Sequence, residues 1–387
     1  MNSYGPGPGD YPQLPGPARF IAQVVDSLNA GNTVIAVFPE TSVESGIADA
    51  VLGAVHDENH SSEYCHADPD EPFHARVLAT FGADPVATRD YDEWESIIRW
   101  EPWHGSWVFV SAWDHADVDA IVARWPAQVH ASGLPAADRP KLVVGVRLSD
   151  VDRGTLDHLD YAHLSVHWWW GVIDSLDTQT RLAAVADRRL NPVDAAVVVE
   201  LSVWDLACVD FLAAHWDRTT NGLAAAVHAY QQYAPADDSD HLSAADRRPT
   251  TAPPAKRQQA WQDGLLEQWG HTTNRSPRIL NDAAIRQRLW LAHNRTLIVH
   301  VDEERAHYEQ LLRRKASHRA LATLDQRDDE IIEIGALAHL VVAGWVDIDR
   351  VDRDRLYAFR DLRNALAHRT PVDDTLRARV IKYLGFT

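Results

Sequence analysis

The chain reads as two fold classes in series: an α/β domain on a parallel sheet with helices on both faces (a three-layer arrangement), followed by an all-α bundle. Three observations predict this. Apolar, β-rich runs alternate with helical stretches from about Ala18 to Tyr233, and buried strands separated by helices imply a parallel sheet covered on both sides. The stretch Ala234–Lys256, APADDSDHLSAADRRPTTAPPAK, is polar, Pro-bearing and without period, which marks a mobile boundary. Beyond it every segment reads as helix.

In chain order, residues 1–16 are Gly/Pro-rich and are expected to form a disordered tail. The α/β domain then spans 17–233, the linker 234–257 and the helical domain 258–387. Strands are predicted at Thr33–Phe38, Ser106–Ser111, Lys141–Leu148 and His163–Trp170, with helices at Ile47–Val55, Ala116–Val129 and Thr178–His215. In the last domain Trp290, Leu297, Val301, Tyr308 and Leu312 recur at helical spacing along one amphipathic helix capped by Asn281 or Asp282. Ile331, Ile334, Leu337 and Leu340 are spaced for one buried helix face in a following segment that begins near Asp329.

Length and composition allow two domains, each with its own core: 387 residues, 45% hydrophobic and 24% charged. No apolar run approaches the ~20 residues of a membrane span, and MNSYGPGPGDYPQLPGP lacks the basic and apolar regions of a signal peptide. Cys65 and Cys208 alone cannot build a zinc site or a disulfide framework, and a reducing cytoplasm is the expected location. The net charge of −19 divides unevenly, −22 over residues 1–250, +5 over 251–320 and −2 over 321–387. A phosphate backbone would be repelled by the first part and tolerated by the basic stretch.

Near the C-terminus stands Arg360-Asp361-Leu362-Arg363-Asn364-Ala365-Leu366-Ala367-His368-Arg369. At ~100° per residue, Asn364 and His368 are about 40° apart and stack as an i,i+4 pair, while Arg363 lies about 140° from His368. Pro371 disfavours helix at Thr370, so the helix is expected to stop near His368 or Arg369. RNA cleavage without a metal needs a group of near-neutral pKa to move the 2′-hydroxyl proton and a cation for the phosphorane charge. Histidine and arginine are suited to those roles.

The phrase LRNALAH, an Arg-x-x-x-x-His motif with a polar residue after the Arg, resembles the motif of HEPN domains over the last third of the chain. These are helical bundles that include many metal-independent ribonucleases of toxin–antitoxin, abortive-infection and CRISPR systems. The resemblance implies an endoribonuclease of a bacterial toxin or anti-phage defence system, with His368 as acid/base, Arg363 as transition-state cation and Asn364 as the orienting amide. Arg360 and Arg369 become RNA contacts. The implied partners are RNA, a second copy in a homodimer, and an antitoxin or phage-derived trigger; no cofactor and no metal is implied. Two other readings stay open, a non-catalytic HEPN module for RNA or protein binding and dimerisation, and a nucleotide-responsive switch.

The first domain resembles, in element order, a P-loop NTPase of the AAA or STAND kind: strand Thr33–Phe38, the loop Pro39–Gly46, a helix, and a later strand ending near Asp114 where a Walker B acid would sit. No Gly-x-x-x-x-Gly-Lys-Ser/Thr occurs, and Glu40 and Glu44 in the loop would repel triphosphate, so this resemblance implies a degenerate NTPase. A flavodoxin-like or Rossmann-like layer of unrelated function is the alternative. His293, His300 and His307 recur every seven residues, with Glu304-x-x-His307 in the di-iron style but no second copy, so they are expected to border a helix interface. Trp168-Trp169-Trp170 is read as a buried strand end, with pocket lining as the alternative.

Overall fold

The computed structural model describes residues 4–386 apart from 67, 69, 85, 87, 92, 152–155, 157–162, 187–189, 235–248, 318 and 320–330. Most of the expected linker, and Asp329 and Glu330, lie outside the described residues. The protein is mixed α/β, and its sheet is parallel throughout with order β2-β3-β4-β1-β5. The strands are β1 Thr33–Phe38, β2 Ser62–Tyr64, β3 Trp107–Ser111, β4 Lys141–Arg147 and β5 Leu164–Trp168. Residues of β1 are buried without alternation, as a central parallel strand requires. The short edge strand β2 has no apolar run to announce it.

Helices α1 Pro15–Asn29, α2 Glu40–Glu44, α3 Ile47–Asp57, α4 Phe73–Thr80, α5 Trp94–Ile98 and α6 Val118–Ser132 accompany the sheet. Much of the tail expected to be disordered is ordered: Pro8–Gln13 is a 3-10 turn and Pro15 starts α1, because its fixed φ suits the first helical position. α1 packs on α3, β1 and β5. Trp103 stacks on Trp125 at 4.6 Å, both fully buried. At Gly145 in β4 a Cβ would sit 2.6 Å from Leu52 Cδ1, so the sheet accepts α3 there only without a side chain.

The expected single helix Thr178–His215 is three: α7 Ser175–Val185, α8 Pro192–Ser202 and α9 Leu206–His215. Asn191 caps α8 by accepting from Val193 and Asp194 N, and Val203 at φ 49 ends it. After α10 Thr220–Tyr233 and the short α11 Gln258–Gln262, the reading of helix throughout fails once more. β6 Leu266–Trp269 and β7 Thr272–Arg275 form an antiparallel hairpin. Its two-residue turn carries Gly270 at φ +62, the backbone such a turn needs and a signal the helical reading passed over. Then come α12 Asp282–Lys315, α13 Ile334–Val342, α14 Arg350–Ala367 and α15 Asp374–Leu384.

The chain divides into two compact units, but not at 233/234. One comprises Gly5–Thr180 and Asp238–Ser276; the other Met1–Tyr4, Arg181–Asp237 and Pro277–Thr387. α8 to α10 therefore belong with the C-terminal helices, since α8 packs along α12 and its Val193 joins their core. That core is built on Leu297, Val301, Tyr308 and Leu312 of α12, Leu337 and Leu340 of α13, and Leu356, Phe359 and Leu362 of α14. Asn281 caps α12 by accepting from Ala284 N at 2.9 Å. Ile331 is 65% exposed, contrary to the expected face: residues 331–333 are not helical, and Ile332 takes the inward place.

Candidate active site at the end of α14

α14 forms because Asp349 caps it, accepting from Asp352 N at 2.8 Å, and because Leu356, Phe359, Leu362 and Leu366 bury one stripe. The helix ends where expected. His368 is its cap residue and Arg369 stands at φ +55. Thr370 N donates to Ala365 O at 2.9 Å and Arg369 N to Leu366 O at 3.2 Å, the two bonds of a Schellman turn, with arginine in the left-handed place glycine usually fills.

Two α12 side chains hold this turn from opposite ends. Trp290 Nε1 donates to Leu366 O at 2.9 Å, satisfying a helix-end carbonyl, and the Arg369 guanidinium lies 6.0 Å from the Trp290 ring centre. His293, fully buried, accepts from Val372 N at Nδ1, 3.1 Å away. Burial first, then the Arg377 charge, lowers its pKa to about 4, so the ring is neutral with its proton on Nε2. Sequence reasoning placed His293 at a helix interface and missed this role; the Trp-x-x-His pair on one helix face was the available signal.

The motif residues themselves face solvent. Asn364, His368 and Arg369 are exposed, and Arg363 is half-exposed with Nη2 3.4 Å from Glu333 Oε2. Arg360 is tied to Asp361, with bonds of 2.9 and 2.7 Å, and lies 5.0 Å over Tyr357. Among the described residues no hydrogen bond joins the side chains of Arg363, Asn364 and His368 to one another. Arg360, Asn364 and His368 follow at i, i+4 and i+8, about 40° apart in turn, whereas Arg363 stands about 140° from His368. One helix thus presents a cation, an amide and an imidazole in a row, with a second cation on its flank.

The other singled-out residues have settled partners. Glu304 pairs with Arg355, His300 with Glu303, and His307 packs edge-on to Tyr308. Among the described residues no group of three or more His, Cys, Asp or Glu is placed to hold a metal ion, and no helix is long and apolar enough to cross a membrane. Cys65 and Cys208 are buried and unpaired with each other. Trp168 and Trp170 line, with Arg19, Phe20 and His167, a cavity of about 310 Å³ at the end of β5. In the first unit the segment after β1 forms the short α2, and residues Ala112–Asp114 make a 3-10 turn after β3. No protein-family model, no curated protein and no solved structure matches the chain.

Proposed function

We propose that the protein is a metal-independent endoribonuclease of HEPN type, acting in a bacterial toxin or anti-phage defence system and regulated by its α/β part. The observation that carries this reading is the end of α14: an exposed His368 in a fixed turn, with Asn364 one turn before it and Arg363 on the flank. In the proposed reaction His368 takes the proton of a ribose 2′-hydroxyl, whose oxygen attacks phosphorus, and the resulting imidazolium gives that proton to the 5′-oxygen as it leaves. Arg363 stabilises the phosphorane charge, Asn364 orients the phosphate, and Arg360 and Arg369 contact neighbouring phosphates. The products are a 2′,3′-cyclic phosphate and a 5′-hydroxyl. The wide angle between Arg363 and His368 on one helix supports a homodimer, in which each Arg363 serves the partner's imidazole.

A non-catalytic binding module is the second reading, favoured by the engagement of Arg360 by Asp361 and of Arg363 by Glu333. One experiment separates the two. The full chain is incubated with RNA in excess EDTA, alone and as His368→Ala. Cleavage that leaves cyclic phosphate, and falls ~10²–10⁴-fold in the variant at unchanged melting temperature, supports the nuclease. RNA bound but left intact by the wild type supports the module. Activity that vanishes with chelator and returns with Mg²⁺ removes the proposal.

A further inference from the structure

The two edges of the sheet are unlike. The edge strand β2 is three residues long and carries the exposed Glu63, two features that discourage further pairing. The other edge, β5, reads Leu-Ser-Val-His-Trp and has no lysine, carboxylate or proline. Its pairing with β1 uses alternate residues: Thr33 N donates to His163 O at 2.9 Å and Trp169 N to Val37 O at 2.8 Å. With Val166 opposite Ile35 in the parallel register, the N–H and C=O groups of Leu164, Val166 and Trp168 point outward. Among the described residues no strand or side chain bonds them. Such a row is a template for another strand.

That edge opens into the cavity of about 310 Å³, and the cavity has a wall on each face of the sheet. Side chains alternate along a strand. His167 and Trp169 face α1, where Phe20 meets them edge-on at 6.1 and 5.2 Å. Trp168 and Trp170 face the other way, toward Trp261, and Trp170 Nε1 donates to Thr250 Oγ1 at 3.1 Å. The lining comes from both sides, Phe20 and Gln23 above and Trp168, Trp170 and Thr251 below, with Val166 of the strand between. The space therefore lies along the edge of β5 and not over one face. A groove walled above and below admits one extended chain, whereas a second sheet with its own covering helices needs a flush edge.

We propose that β5 is a peptide-docking edge, which takes an extended segment of another protein as a sixth strand. The outward groups of Leu164, Val166 and Trp168 would hold about five to six residues of the partner through main-chain bonds at ~3.3 Å per residue. Alternate partner side chains meet Phe20 and His167 on one wall and Trp168 on the other, so apolar residues fit there. Residues 1–250 carry a net charge of −22, and lysine or arginine elsewhere in the segment supplies the matching sign. The one arginine that lines the groove, Arg19, is bonded to Asp174 at 2.6 Å, so nothing there selects an anion. The proposal concerns the α/β unit alone and stands or falls apart from RNA cleavage.

The test uses the full chain and a set of capped hexapeptides in which lysine alternates with valine, leucine or phenylalanine, titrated by fluorescence anisotropy at physiological salt. The tightest binder is remade with alternate backbone amides N-methylated, once in each register. One register is expected to weaken binding at least tenfold and the other little, because only alternate amides of an added strand face β5. Both peptides carry the same charge, so general attraction to an acidic protein cannot produce the difference. Val166→Pro removes one outward N–H and no bond to β1, and should also weaken binding at least tenfold. Should that variant fold poorly, hydrogen exchange on the wild type gives a separate reading: the amides of Leu164, Val166 and Trp168 slow when peptide is added. Equal binding of the two methylated registers, no peptide bound at millimolar concentration, or no slowing at those three amides each overturns the proposal. So does a dimer of the free chain that Val166→Pro dissolves, since the edge would then belong to a second copy.

Discussion

Replacing Glu267 by glutamine should remove a loss of stability that the α/β unit suffers as pH rises. Glu267 lies on β6, 6% exposed, and its carboxyl accepts from Gly171 N at 2.8 Å, Gln268 N at 2.9 Å and Trp261 Nε1 at 3.0 Å. No arginine or lysine pairs with it among the described residues. Burial pushes its pKa from 4.5 to about 8 against the pull of those three donors. Between pH 4.5 and 8 the native state therefore holds a proton that the unfolded chain has lost. Stability contributed by this group is fully present below pH 4.5 and is lost as pH rises through 8, by at most ~1.4 kcal/mol per pH unit and on the order of 5 kcal/mol in all.

Glutamine carries no such dependence. Its oxygen can keep the two backbone bonds, while its amide meets the Trp261 N–H donor to donor, a fixed cost of about 1–3 kcal/mol. The readout is thus the change in the gap between the two proteins. From pH 5 to pH 8 in urea unfolding, wild type should lose up to ~4 kcal/mol relative to Glu267→Gln, a midpoint movement of about 2 M at ~2 kcal/mol per M. A gap constant within ~0.5 kcal/mol, or one in which wild type gains with pH, would refute the reasoning.

Three further outcomes follow from other residues. His293 has the opposite sense: with its pKa lowered from 6.5 to about 4, the unfolded chain takes the proton first, and the helical unit should lose on the order of 3 kcal/mol as pH falls through that window. Hydrogen exchange resolved by segment checks this, since α12 and α14 should lose protection below pH 6 while the sheet does not. Arg377→Ala strands Asp194, whose side chain is 5% exposed, and should cost about 3–5 kcal/mol, with Asp194→Asn added to it restoring part; a loss below ~1 kcal/mol in thermal melts argues against the pair. Arg369→Gly relieves a left-handed arginine worth ~1–2 kcal/mol while adding ~0.5–1 kcal/mol of unfolded-chain entropy, so the melting temperature should hold or rise slightly. A clear drop would mean that the Trp290 contact outweighs the backbone strain.

Strands β1, β3 and β4 were legible because a central parallel strand is apolar through its interior, and the half-buried edge strand β5 because its run continues into Trp169 and Trp170. The stop of α14 was legible for a local reason, the steric effect of Pro371 on Thr370. What stayed hidden depends on partners distant in sequence. α8 reads as buried helix from Val193, Val197, Val198 and Leu201 alone, but nothing in those valines says whether they face a sheet or α12. The hairpin β6–β7 is short and polar, with Glu267 turned inward, so its burial breaks the usual sign of a strand. At the candidate site the motif itself was visible. The grip of Trp290 and His293 on its turn was not, because both bonds run to backbone groups some 75–80 residues away.

The interleaving of the two units bears on how the protein is made. α8 ends at Ser202, and its packing partner α12 starts only at Asp282. At ~5–20 residues per second on a ribosome, Val193, Val197, Val198 and Leu201 wait roughly 4–16 s for the surface that will cover them. During that wait the chain must also deliver Asp238–Ser276 to the earlier unit. Growing chains stalled between residues 203 and 281 are therefore the ones that should need chaperone cover most, and synthesis slowed in that interval should lower the yield of native protein more than slowing elsewhere.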